Sequence, residues 1–122
     1  MLFRSLFDTE PMSIIDDLAP RNGEVTVRKV VGSAFTGTGL DFLLNNAGVE
    51  NVVLCGQWGN ACVFYSLIQS REYGFNNYWL EDGVLYSSET FKQLFPALIG
   101  SNWAKLAAGE DIQKALGSAA TG

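Results

Sequence analysis

Cys62 is the strongest candidate for a reactive group in this chain. It closes the run Val52-Val53-Leu54-Cys55-Gly56-Gln57-Trp58-Gly59-Asn60-Ala61-Cys62-Val63. The run starts as an apolar β-segment, breaks at Gly56 and bends through Trp58-Gly59-Asn60. It delivers the thiol where an apolar helical pattern begins. A thiol at a helix N-terminus meets the positive end of the helix dipole, which favours thiolate. Strand, tight turn and nucleophile opening a helix is a layout used by hydrolases. A competing reading stands beside this one. An unpaired cysteine in an apolar segment also serves as a small buried hydrophobe.

The segments around Cys62 are legible in the residue pattern. Asp8-Thr9-Glu10-Pro11 reads as a turn, and Ser13 to Leu18 as one helical turn ended near Pro20. Glu24 to Val31 is β-branched and reads as a strand, ended by Gly32. The loop Ser33-Ala34-Phe35-Thr36-Gly37-Thr38-Gly39 is rich in glycine and hydroxyls. It lacks the glycine-lysine ending of a phosphate loop. Leu40, Leu43, Leu44 and Ala47 share one face of a helix that Thr38 caps and Gly48 closes. Val49 to Leu54 is the next strand, Cys62 to Tyr73 a helix, and Phe75 to Leu80 a third strand ending at Glu81-Asp82-Gly83. Short helices are expected from Ser88 through Leu94, over Asn102 to Ala108, and over Glu110 to Leu116.

Strand, helix, strand, helix, strand, helices is the order of a parallel α/β sheet with right-handed crossovers. Ligands of such sheets sit at the carboxyl ends of the strands. Those ends carry Lys29 with Ser33, then Gly56 to Cys62, then Glu81-Asp82. Lysine, cysteine and carboxylate therefore gather on one edge. Asp82 is expected to cap a turn. Phe35, Trp58, Tyr65, Trp79 and Tyr86 are candidates to line a pocket for a flat, uncharged substrate, with core packing as the competing role.

Composition narrows the function. The 122 residues suit one domain, 1–122, with a single core. Hydrophobic residues at 48% and charged residues at 17% describe a globular chain. A net charge of −5 with no basic cluster argues against a nucleic-acid partner. No stretch is long enough to span a membrane, and the short apolar start turns acidic too soon for a signal peptide, so a cytoplasmic location is expected. The two cysteines, Cys55 and Cys62, lie too awkwardly across a strand and a turn to form a disulfide. The chain has no histidine. That removes Ser-His-Asp and Cys-His catalysis and the commonest zinc ligand. No metal and no cofactor is expected.

The ordered set of residues resembles the isochorismatase-like cysteine hydrolase family. The matching pieces are Ile15 to Pro20, Val27-Arg28-Lys29, Ser33-Ala34-Phe35, and Thr38 with Leu40, Leu43 and Leu44. They continue with Gly48-Val49, Val52 to Gly56, Cys62-Val63, Gly74-Phe75 and Asp82. The resemblance implies a Rossmann-like parallel sheet in a three-layer α/β sandwich. It implies that Cys62 and Lys29 are two parts of a catalytic triad, with Lys29 favouring the thiolate. It implies a non-proline cis peptide at Gln57–Trp58, with amides of the Gln57-Trp58-Gly59 turn and of Cys62 holding an oxyanion. Phe35 joins these as a substrate-binding candidate. The implied reaction is cleavage of a small amide or related C–N bond through a thioester, with a small molecule as substrate.

The chain departs from the family pattern in two places. The family's third triad member is an aspartate at the end of a first strand, and no apolar β-run precedes Val25. Asp8, Asp16 and Asp17 do not match that motif. Gly59 stands where many members have threonine. The expectation is a member lacking the N-terminal strand, whose open strand edges need another partner. A homo-oligomer would cover them. The alternative function is a catalytically inactive homologue that acts as an interaction module. An isochorismate-type vinyl ether hydrolase fits less well, because those members typically lack the cysteine. The nicotinamidase branch needs a histidine-containing metal site that this chain cannot build.

Overall fold

Alternation sets the first strand of the sheet. Along β1 (Asn51–Gln57), Leu54 is buried and Val52 packs on the core, while Asn51, Val53, Cys55 and Gln57 are exposed. The computed structural model describes residues 14–121, with side chains from Ile14 to Ser118. The turn expected at Asp8 to Pro11, and the Ser13 cap, lie outside the described residues.

β1 pairs in parallel with β2 (Asn76–Leu85), which pairs in parallel with β3 (Lys105–Ala107), giving the order β1-β2-β3. Among the described residues the α-helices are α1 (Leu40–Asn46), α2 (Cys62–Glu72), α3 (Glu89–Asn102) and α4 (Gly109–Thr121), and the turn expected before Pro20 is a 3-10 helix over Asp16–Leu18. Val63 and Leu67 of α2 and Ile99 of α3 meet Leu54, Trp79 and Val84 of the sheet in one core. Leu67, Trp79 and Ile99 are fully buried. Ile112, Ala115 and Leu116 of α4 instead line a groove with Asn51, Val53 and Tyr78, which point from the opposite sheet face. Helices thus cover both faces, and the α/β three-layer expectation holds. No helix among the described residues is long and apolar enough to cross a membrane.

Several boundaries differ from the sequence expectation. Glu24 to Lys29 forms no strand and pairs with none among the described residues, and Val25, Val30 and Val31 are exposed. β-branched residues favour extended backbone, yet a strand also needs a neighbour whose N–H and C=O groups are open. β2 does not stop at Glu81-Asp82-Gly83. Leu54 pairs with Trp79, but Gly56 pairs with Val84, so Leu80 to Gly83 bulge opposite Cys55 alone. Beyond the bulge, Val84 and Leu85 rejoin the ladder.

The helix from Ser88 is longer than expected. Ser88 caps α3 by accepting from the Phe91 N–H at 3.3 Å. The helix then runs through Pro96, because Phe95 and Ile99 continue its apolar stripe into the core. No helix forms over Asn102 to Ala108. Lys105 to Ala107 is a strand, since Tyr78 to Leu80 offer a free edge that satisfies its backbone. The carboxylate of Asp82 accepts from Gly109 N at 2.8 Å. It therefore caps α4, not the turn that comes after it in sequence.

Candidate active site

The turn between β1 and α2 is built from local backbone bonds. The Trp58 carbonyl accepts from Ala61 N at 3.0 Å and from Val63 N at 3.2 Å, folding the chain back on itself. Gly59 N donates to Leu85 O at 2.7 Å, which ties the turn to the end of β2. The Gln57–Trp58 peptide is cis. Trp58 is 40% exposed, and Cys62 is half-buried as the first residue of α2.

The amides left over define what the turn can do. The backbone N–H groups of Trp58, Asn60 and Cys62 have no acceptor among the described residues. The residue before Cys62, Ala61, offers no side-chain cap to α2. Uncommitted N–H groups at a helix start are suited to a small anion or an oxyanion. The structure thus gathers Gln57, Trp58, Gly59 and Cys62 in one turn.

Gly59 is fixed by its surroundings. A Cβ there would lie 2.5 Å from Tyr86 Cε1 and 2.6 Å from Val84 Cγ1. The space that a threonine side chain would take is filled by the Tyr86 ring and Val84. Tyr86 accepts from the indole N–H of the fully buried Trp79 at 2.9 Å. Burial pushes the Tyr86 phenol above its ordinary value, with a further push from the Glu81 carboxylate, partly offset by the bond from Trp79. Trp79, expected as either core or pocket, is core.

Lys29 makes no hydrogen bond to this cluster. Its Nζ donates to the carbonyl of Val31 at 3.1 Å, and no hydrogen bond or ion pair joins it to Cys62. The loop after Lys29 is nevertheless anchored to α2. Ser33 Oγ and Thr36 Oγ1 both donate to Gln69 Oε1, the latter at 2.9 Å. Ala34 N donates to Ser66 Oγ at 2.9 Å, and Ser66 Oγ donates to the Cys62 carbonyl at 2.8 Å. A continuous relay thus joins the Lys29 loop to the first residue of α2. Ser66 carries no signal in the sequence, where it is one more small residue in a helix.

Phe35 is not at the site. It is 3% exposed, with ring centroids 5.5 Å from Tyr73 and 6.3 Å from Phe75. Tyr73 comes directly after the last residue of α2, roughly 16 Å along the helix from Cys62. Apolar burial, not ligand contact, places this ring.

The family profile for the isochorismatase domain matches residues 4–104. The chain belongs to the isochorismatase family. Among curated members of the isochorismatase family, the ureidoacrylate amidohydrolase RutB of Agrobacterium fabrum is 32% identical over 81 residues, covering 66% of this chain and 36% of that protein. The maleamate amidohydrolase of Pseudomonas putida is 32% identical over 75 residues, covering 61% of this chain and 35% of its own. A solved isochorismatase-like hydrolase from Alkaliphilus metalliredigens superposes with a TM-score of 0.83 at 27% identity, covering 88% of this chain and 60% of that one. The chain spans about a third of the length of the curated relatives it matches.

Proposed function

We propose that this chain carries the thiol of a cysteine hydrolase that cleaves a small amide or related C–N bond. One observation carries the reading. Cys62 opens α2 directly after a turn in which the N–H groups of Trp58, Asn60 and Cys62 have no acceptor among the described residues. The amidohydrolase names of the curated relatives agree with it.

The chemistry balances as acyl transfer. The Cys62 sulfur attacks the amide carbonyl, and the turn amides hold the oxygen as it gains charge. The thiol proton passes to the departing nitrogen and the C–N bond breaks, leaving a thioester. Water then adds to that carbonyl, the C–S bond breaks and a proton returns to sulfur. One water is consumed, and one carboxylic acid and one amine or ammonia are released. Trp58 flanks the substrate. Lys29 supplies positive charge near the sulfur once its ammonium leaves the Val31 carbonyl. The relay through Ala34 and Ser66 supports that assignment, because it holds the Lys29 loop against α2.

No carboxylate is hydrogen-bonded to Cys62 among the described residues. A general acid–base group contributes about 10²–10⁴-fold, so turnover is expected to be slow unless another segment supplies one. The test measures ammonia release from maleamate and ureidoacrylate by the whole chain, with Cys62→Ser as control. Release that vanishes in Cys62→Ser supports the proposal. Release that persists in Cys62→Ser overturns it, as does iodoacetamide labelling that is no faster at Cys62 than at the more exposed Cys55.

A further inference from the structure

The ladder between β1 and β2 does not end where the strands end. Its last backbone pair is Gln57 with Leu85, after which Gly59 N bonds to Leu85 O at 2.7 Å. One step further, β1 has turned away and no backbone remains to pair. The side chain of Asn60 takes its place. Asn60 Nδ2 donates to Ser87 Oγ at 2.8 Å, and Ser87 N donates to Asn60 Oδ1 at 3.0 Å. The side-chain amide turns one of its N–H donors and its acceptor oxygen toward Ser87, much as a peptide unit would. It extends the parallel ladder across a sequence gap of 27 residues.

Ser87 is a firm anchor for such a link. On one side, Tyr86 is held by Trp79 and packs against Gly59. On the other, Ser88 is the cap of α3. Asn60 itself lies two residues before Cys62, and its N–H has no acceptor among the described residues. We infer that Asn60 and Ser87 form a latch that positions the Trp58–Cys62 turn, and so sets the reactivity of the Cys62 thiol. Both are positioning residues, since neither side chain hydrogen-bonds to Cys62. The inference rests on the hydrolase reading for its purpose, but its readout does not need turnover.

The experiment compares iodoacetamide labelling rates at Cys62 and Cys55 within the same molecules, by peptide mass, at pH 7. Asn60→Ala removes both bonds. It is expected to lower the Cys62 to Cys55 rate ratio about tenfold, as misplacing a reacting group does. Ser87→Ala keeps the Ser87 N bond and is expected to have a smaller effect. Ser87→Thr keeps the hydroxyl and is expected to restore the parent ratio. The double variant Asn60→Ala/Ser87→Ala is expected to match Asn60→Ala, because the two residues act as one unit.

Melting curves accompany each variant. A folded Asn60→Ala chain whose ratio stays within about twofold of the parent overturns the latch. So does a variant in which both cysteines speed up together, since that marks general loosening. A parent ratio near one also overturns it, because no activated thiol exists to position. Ammonia release is scored separately: a latch effect without any turnover keeps the latch and rejects the hydrolase reading.

Discussion

Adding one carbon at Gly59 is expected to destabilise the chain measurably, and the contacts set the size of the effect. The Cβ of Gly59→Ala would sit 2.5 Å and 2.9 Å from two atoms of the Tyr86 ring and 2.6 Å from Val84 Cγ1. Atoms at those separations must move. The ring cannot swing freely, because its hydroxyl is the acceptor for the buried indole of Trp79. Val84 is itself buried in the core. Nor can the turn lift away without losing the Gly59 N to Leu85 O bond. Overpacking of this kind costs about 1–3 kcal/mol. At roughly 4 °C per kcal/mol for a domain of this size, the melting temperature is expected to fall by about 4–12 °C. Urea titrations of the parent, Gly59→Ala, Tyr86→Ala and the double variant close a thermodynamic cycle. Tyr86→Ala removes the ring but leaves Val84, so it is expected to relieve part of the penalty. A Gly59→Ala cost below about 0.5 kcal/mol, the range of an ordinary surface change, would refute the reasoning. An undiminished cost in the Tyr86→Ala background would refute the role of the ring.

Two further outcomes are expected. Phe35→Ala removes a buried ring packed on Tyr73 and Phe75, so urea denaturation is expected to show a loss of about 3–5 kcal/mol. An unchanged stability with a selective loss of amide turnover would return Phe35 to the substrate side. Tyr86→Phe tests the phenol. The folded state raises the ionisation of Tyr86 above its ordinary 10.0, so it favours the neutral form. The resulting stabilisation is fully present below the unfolded value and is lost as pH rises through the folded value. The stability gap between parent and Tyr86→Phe is therefore expected to be largest below about pH 10 and to close above it. A gap that widens with rising pH contradicts the sign.

The amino-acid sequence carried the parts of this protein whose signals are local. β1, α1 and α2 were legible as elements because their apolar residues are local signals and Gly48 and Gly74 follow the two helices, but β1 runs through the expected break at Gly56 to Gln57, because Gly56 and Gln57 still pair with Val84 and Leu85. Cys62 at the start of α2 came from the same pattern, as did the bend that precedes it. The resemblance placed the cis bond at Gln57–Trp58, where the structure has it. Packing between distant segments settled the rest. Residues 24–31 have strand composition but no strand beside them among the described residues, whereas Lys105 to Ala107 became a strand because β2 offered an open edge. Phe35 left the site for the core because its neighbours Tyr73 and Phe75 arrive from the far end of α2. The bulge at Leu80 to Gly83 brings Tyr86 against Gly59 and Ser87 against Asn60. Local periodicity reports which face a side chain prefers; only the packed sheet fixes which residue stands opposite it.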